Sequence, residues 1–431
     1  MSDMHEEKRE EKRKLFKATF RCENARRREA LEAQSRDQRS DLLDTMRKLA
    51  TDALFGNHND DDTIDVDVEC DLDEEKQEGD DEVADMDVDS KPKKRRGRRK
   101  RLQIKRCQYF ARLMTQPDWM TEVPPNLLHD WLVYAKPEGK RCLLISDSGK
   151  TQVRQKNGRF LKHFYCRLPR GQTILDGVAE ESTNTFYVTD ALVWGDSPLE
   201  AADAECRTFF MQSRFDELDQ DIDAATRRAA EQLMGGEVGT PWKLEWVPKF
   251  EVTAELLIKL HGEQLPYAKD ALVFMHKQAQ YWPGLSPLLL SWRDKHICKY
   301  VVDTPDVNGV EIPPTQAVVL ELRTKHFLRT EDKVIVGQAQ EEQLKKIGKV
   351  RVKELLRGEC DGVDQAGKLI NLRLTGKAGR NRPTADSMGR IVFQHLHRHG
   401  LAAVISIEAL VAAAMSPTSL AQLQGAVPMA T

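Results

Sequence analysis

Few residues of this chain stand at a spacing that serves a known chemistry. The run Ser148-Gly149-Lys150-Thr151 ends like a phosphate-cradling loop, but that loop needs a glycine five positions before Gly149, and Leu144 stands there. Gly149 therefore reads as a turn between strands. On a helix His395 and His399 would share a face, with His397 between them, yet no carboxylate or cysteine stands beside them to complete a metal set. They read as a polar helix face. No Gly-x-Ser-x-Gly motif occurs. Cys22, Cys70, Cys107, Cys142, Cys166, Cys206, Cys298 and Cys360 are scattered singly, so neither a zinc set nor a disulfide framework is expected. Reduced thiols of the cytosol or nucleus fit better. No metal and no cofactor are expected.

The elements that must position any site fall into blocks of distinct composition. A length of 431 residues suggests two or three modules. The net charge of -3 hides strong segregation. Residues 12–55 lack proline and glycine, and from Lys12 to Lys48 they carry 12 Lys/Arg against 6 Asp/Glu. The composition from Glu23 to Phe55 favours a helix of about 30 residues, roughly 45 Å long. Its apolar positions (Ala30, Leu31, Leu42, Leu43, Met46, Leu49) are too sparse to bury it. It reads either as a helix grasped by an acidic partner or as a solvated charged arm. Residues 56–106 form a linker. Its acidic part, 59–90, sets 17 Asp/Glu against Lys76 alone and predicts disorder. Its basic part, 91–106, has 11 Lys/Arg and no acid, as in nuclear-localisation or polyanion-binding segments.

Folding is expected to begin near Cys107. A helical pattern around Tyr109, Phe110, Leu113 and Met114 gives way to β-rich runs at 131–135, 141–146 and 185–194, with Asn157-Gly158 as a hairpin turn. A polar helical stretch from Phe215 to Met234 interrupts them. Strand-like runs follow at 243–252, 271–275, 288–292, 318–323, 333–338 and 369–374, with helices at 253–260, 384–399 and 405–414. The fold class is α+β with a mainly antiparallel sheet, divided into residues 107–300 and a β-rich extension, 301–431, that ends in helices. Trp131 and Trp194 lie inside strand-like runs and read as core. No apolar run approaches the 18 residues of a membrane span, and the charged amino terminus lacks a signal peptide's apolar centre.

The segment Lys136-Pro137-Glu138-Gly139-Lys140-Arg141 resembles the KxDGxR nucleophile motif of covalent nucleotidyltransferases, the family of mRNA capping enzymes and nucleic-acid ligases. That resemblance implies a lysine that attacks an α-phosphate, with carboxylates to hold metal ions. The later segments Thr189–Trp194, Lys269–Phe274 and Leu289–Lys295 retain Asp190. They lack the expected glutamates and paired lysines. The chain thus looks like a degenerate guanylyltransferase fold whose pocket is kept for binding a guanine nucleotide.

The order of basic helix, acidic linker and degenerate capping-enzyme-like domain resembles the snurportins, the trimethylguanosine-cap-binding import adaptors of small nuclear ribonucleoproteins. Phe20–Leu54 is similar to that family's importin-β-binding helix, and residues 85–89 to the end of its acidic linker. DWMTEVP (118–124), PEGKR (137–141), TILD (173–176), FYVTDALVW (186–194), HKQAQYWPG (276–284) and SW (291–292) fall in the family's order. The tail resembles the extension of plant-type members.

The resemblance implies cap binding by Trp119, Lys136, Arg141, Lys156 and Trp292. Trp292 would be the stacking platform for the cationic N7-methylguanine, by stacking and cation–π attraction. Trp119 would meet the two methyl groups on N2. Lys156 and Arg141 would partner the phosphates, and Lys136 would line the pocket. Gln116 and Pro117 depart from the family's pattern before Trp119, and Trp282 is the candidate second wall of the base sandwich.

Importin-β contact is implied for Arg26, Arg27, Arg28, Arg36, Arg39, Arg47 and Lys48. Residues 1–15 have almost none of the apolar spacing of the family's export-type stretch, so an exportin is not expected by that route. The expectation is a non-enzymatic adaptor that shuttles between cytoplasm and nucleus and links capped spliceosomal RNAs to importin-β. It has no catalytic residues and no membrane partner. An active guanylyltransferase or RNA ligase using Lys136 is the alternative, and a general basic RNA-binding protein a third reading.

Overall fold

The computed structural model describes residues 22–34, 114–147, 150–156, 158–164, 166, 168–218, 242–299, 301–302, 315–364, 367–379, 382, 384–399 and 404–415. The expected helix beyond Gln34, the acidic and basic tracts, and Tyr109, Phe110 and Leu113 lie outside them.

After helix α1 (Cys22–Gln34), the strands of the central region are β1 (Thr115–Trp119), β2 (Trp131–Pro137), β3 (Lys140–Asp147), β4 (Lys150–Gln155), β5 (Phe160–Phe164) and β6 (Thr173–Glu180). They continue as β7 (Thr185–Trp194), β8 (Ser197–Pro198), β9 (Lys243–Trp246), β10 (Phe250–Glu251), β11 (Lys269–His276) and β12 (Gly284–Trp292). One sheet has the order β1-β12-β11-β2-β10, and a second the order β5-β4-β3-β6-β7-β8 with β9 on β7. Pairing is antiparallel except for β1 with β12 and β7 with β9. Gly158, at φ 79°, takes the left-handed turn that joins β4 to β5, as the Asn-Gly pair predicts.

The first sheet is buried on both faces. Tyr134, Val273 and Met275 meet Val178 and Tyr187 of the second sheet. On its far face Trp131, Val133, Phe274, Leu290 and Trp292 pack under helix α4 (Ala254–Gly262) and the carboxy-terminal helix α7 (Ile407–Ala413). Burial on both sides accounts for the unbroken apolar run in β11. Besides the short α2 (Leu127–Asp130), helix α3 (Ala204–Asp216) covers the outer face of the second sheet through Met211.

Beyond β12, a separate sheet has the order β15-β14-β13-β16-β19. Its strands are β13 (Gln316–Leu322), β14 (Phe327–Arg329), β15 (Ile335–Gln338), β16 (Leu355–Cys360) and β19 (Arg373–Lys377). Helix α5 (Glu341–Ile347) joins β15 to β16, and the small ladder of β17 (Gly362–Val363) and β18 (Leu369–Ile370) precedes β19. Helix α6 (Met388–Arg398) covers this lobe with Met388 and Ile391. Among the described residues beyond β12 there are thus a sheet and the helices α5, α6 and α7.

The polar helix expected over Phe215–Met234 lies mostly outside the described residues; helix α3, largely before it, begins at Ala204, where the Asp203 side chain accepts from Cys206 N and caps it. Two expectations shift in detail. The run 243–252 splits into β9 and β10 around Pro248, which cannot donate to a ladder. The run 369–374 breaks at Asn371, whose φ of 51° turns the chain between β18 and β19.

The second sheet and α3 are joined by a buried ion pair. Arg207 donates from Nε and Nη2 to the two oxygens of Asp190, each at 2.9 Å, and from Nη1 to the carbonyls of Ala202 and Ala279. Arg207→Met is expected to cost about 3–5 kcal/mol, because Asp190 remains buried without its partner. A urea titration with unchanged m-value measures it. The double variant Arg207→Met/Asp190→Leu is expected to recover most of the loss.

Candidate functional site

The two tryptophans expected to touch a ligand end neighbouring strands. β1 runs parallel to β12 with Trp119 opposite Ser291, after a register shift between Pro117 and Asp118. Because side chains alternate, Trp292 leaves the sheet on the face opposite Ser291. The structure therefore gives the two indoles different surroundings.

Trp119 is half-buried in a ladder of flat groups. The Arg293 guanidinium carbon lies 4.8 Å from its ring centroid. The Phe393 ring of α6 lies 4.7 Å away on a 51° tilt, and His397 stacks on Phe393 at 4.0 Å. Trp292 is 1% exposed, donates from Nε1 to the Ile405 carbonyl at 2.9 Å, and packs with Leu410 and Ala414. Expected as an open platform, it is here a core side chain. Its roof comes from a segment 113 residues further along the chain, which no local pattern announces. A cavity of about 10 Å³ remains between Met120, Trp292, Phe393, His397 and Ile405. That is smaller than the roughly 300–1,000 Å³ of ordinary ligand pockets.

The expected basic residues are present, and most are already paired. Lys136, on β2, donates to Asp270 Oδ2 at 2.5 Å, and Arg293 Nη2 donates to the same oxygen at 2.9 Å. Burial and the adjacent Arg293 lower the Lys136 pKa against the pull of Asp270. Burial works against ionised Asp270, but the two cations hold its pKa below the ordinary value. The structure thus links Trp119, Arg293, Asp270 and Lys136 in one chain of contacts.

Arg141 is held bidentately by the fully buried Asp176, with both bonds 2.6 Å, and also donates to the Thr115 carbonyl. Tyr281 OH donates to the same carboxylate at 2.7 Å. A phosphate would therefore meet an arginine that is already neutralised. Lys156 is the more accessible of the two expected phosphate partners. Its backbone N–H donates to the Arg141 carbonyl at 2.9 Å, and its side chain is exposed. Surrounding protein, with Arg141, Arg382 and Arg390, lowers its pKa to about 8 against the attraction of Glu331, although the side chain still meets water.

Two further residues singled out in the sequence are placed as follows. Asp190, the retained carboxylate of the nucleotidyltransferase-like motif, is committed to Arg207. Trp282 does not wall the Trp119 side. Its carbonyl accepts from Thr115 Oγ1, at the opposite end of β1, about 13 Å along the strand. The rings and planes on Trp119 come from Phe393 and Arg293 instead. Arg293 was legible as the neighbour of Trp292, and Asp270 stands in a segment set aside as degenerate, whereas Phe393 had no local signal. His395 and His399 do share a face of α6, with rings 4.5 Å apart.

Of the residues expected to meet importin-β, Arg36, Arg39, Arg47 and Lys48 lie outside the described residues. Arg26 and Arg27 point inward. Arg26 reaches Asp118 Oδ2 at 3.2 Å and Glu23 at 2.7 Å, and Arg27 reaches Glu122 at 3.3 Å. Arg28 is exposed. Burial raises the Asp118 pKa to about 6, against the pull of Arg26.

Comparison with known proteins places these features. Among solved structures, the chain is similar to "mycobacterial DNA ligase D complexed with ATP and MES", at 12% identity over 64% of this chain and 99% of that one, with a TM-score of 0.29. The ligase domain from M. tuberculosis LigD shares 11% identity over 64% of this chain and 97% of that one, with a TM-score of 0.28. Likenesses this distant carry no chemistry across. The family model described as "Snurportin1, m3G cap-binding domain" matches residues 112–293. That span runs from just before β1 to Arg293, contains Trp119, Lys136, Arg141, Lys156 and Trp292, and is similar to the cap-binding domain of the snurportins.

Proposed function

We propose that residues 112–293 bind the trimethylguanosine cap of spliceosomal RNAs, and that the chain links this cargo to importin-β through its amino-terminal basic helix while shuttling between cytoplasm and nucleus. The observation that carries the reading is the match to a cap-binding domain over a span that sets Trp119 beside Arg293, Asp270 and Lys136. N7-methylation makes guanine a cation, which an indole face attracts. The N2 methyl groups add apolar surface that a monomethyl cap lacks, and indole burial of that surface supplies the selectivity.

The adaptor is read as a binder, not a transferase. Lys136, at the position of the family resemblance's nucleophile, is paired with Asp270, and the retained Asp190 is paired with Arg207. Incubation with labelled GTP and magnesium is expected to leave no covalent adduct. An adduct lost in Lys136→Ala would establish the transferase instead.

Titration with trimethyl, monomethyl and unmethylated cap dinucleotides, followed by tryptophan fluorescence, tests cap binding. The trimethyl cap is expected to bind most tightly, and Trp119→Ala to weaken it by about 1–3 kcal/mol, the worth of one aromatic–base contact. Equal affinity for all three would overturn the reading.

The pH dependence follows from Lys156. Its ammonium is charged below its pKa of about 8, so its attraction for the cap phosphates is present below that pH and is lost as pH rises through it. The Lys156→Gln variant is expected to bind more weakly at pH 6.5 and to converge on the wild type at pH values well above the lysine's pKa. Deprotonation of the base itself persists in both proteins, so the difference between their profiles isolates the lysine.

A further inference from the structure

Asp118, one residue before Trp119, is 1% exposed and joins both ends of the chain to the cap-binding domain. It accepts from its neighbour Trp119 N at 2.9 Å, from Ser387 Oγ at 3.1 Å and from Arg26 Nη2 at 3.2 Å. Ser387 is the N-cap of α6, its Oγ accepting from Arg390 N at 3.2 Å. Asp332 supports the same helix end, since its Oδ1 accepts from Met388 N at 2.9 Å. Arg26 also reaches Asp332, with Nη1 3.6 Å from Oδ2. One guanidinium from α1 therefore serves both carboxylates that seat α6. The approach is close enough that a Cβ on Gly389 would lie 2.7 Å from Asp118 Oδ1.

What α6 carries is the roof of the candidate site. Phe393 lies on Trp119, and the Ile405 carbonyl and Leu410 that follow cover Trp292. The other contacts of α1 are modest. Arg27 pairs with Glu122, Gln34 Oε1 accepts from Gln280 N at 2.7 Å, and Ala30 and Leu31 pack on the cluster around Val273 and Leu289. Without Arg26, two like charges would stand close together at the α6 terminus with one fewer cation between them. Like charges so placed repel, and buried carboxylates without partners are costly.

We propose that α1 and the α6–α7 roof form a single clasp over the cap site, closed by Arg26 between Asp118 and Asp332. This rests on the cap-site reading above. An acidic partner surface that takes the arginines of α1 removes the cation seating α6 and loosens the roof over Trp119 and Trp292. By reciprocity, a cap nucleotide that displaces the roof frees α1 for that partner. Cargo and carrier thereby promote each other's binding without touching.

The clasp is tested first without ligand, on the full chain. Hydrogen exchange of the α6 backbone amides is expected to quicken in Arg26→Gln, while exchange in β2 and β11 stays as in the wild type. Unchanged exchange in α6 overturns the clasp, whatever the cap does. Trimethylguanosine cap dinucleotide is then titrated into both proteins. Affinity at least about 5-fold tighter in Arg26→Gln, the low end of ordinary coupling, supports the coupling, as does faster tryptic cleavage at Arg26–Arg28 of the wild type when cap is added. Equal cap affinity in the two proteins overturns the coupling and leaves the cap site standing. Faster α6 exchange with no cap binding in either protein supports the clasp and overturns the cap-site reading alone.

Discussion

A carboxylate removed from water must be met by hydrogen bonds or a cation, and Asp118 shows how far that requirement reaches in this protein. It lies at the end of β1, at 1% exposure, and no single element satisfies it. Its partners come from α1, from the cap of α6 and from its own neighbour's backbone. Two segments far apart in sequence, α1 and α6, are thereby fixed around the strand end that presents Trp119. Removing either of them leaves a buried charge partly unmet, the circumstance in which a local change propagates.

The same economy governs the cations around the site. Arg141 is matched by Asp176, Lys136 by Asp270, and Arg207 by Asp190. Each pair is at least partly buried, so each cation is positioned before any ligand arrives but is not free. An incoming phosphate competes with protein carboxylates for these groups, and its gain is the difference between two charge-assisted sets of bonds. Lys156 stands apart as an exposed ammonium beside Arg382 and Arg390, which belong to the carboxy-terminal segment. The electrostatic environment of the cap-binding domain is therefore completed by residues outside the span matched to the family. The roof over its tryptophans is likewise built from outside that span.

Much of the fold was legible in the chain. β-rich runs placed β2, β3, β7, β11 and β12, and Asn157-Gly158 placed a hairpin, because these depend on neighbours within a few residues. The helices expected around 384–399 and 405–414 are found at Met388–Arg398 and Ile407–Ala413, where Ser387 and Ser406 cap them. The misplaced boundaries share a physical cause. The breaks at Pro248 and Asn371 reflect backbone constraints inside otherwise strand-like runs.

By itself the sequence determined the α+β class, the separation of charged tracts from folded lobes, and the set of aromatic and basic residues fit to hold a methylated, phosphorylated base. The first two follow from composition and local periodicity, and the last is what the resemblance to the family implies. Only the tertiary structure decided which of these side chains are accessible. Trp292 and Trp119 look alike in the sequence, yet one is sealed beneath Ile405 and Leu410 and the other is half-open between Arg293 and Phe393. Arg26 and Arg28 are two residues apart on one basic helix, yet one closes on Asp118 and the other faces water. Burial and pairing depend on contacts across a hundred residues or more, and local residue patterns carry no record of them.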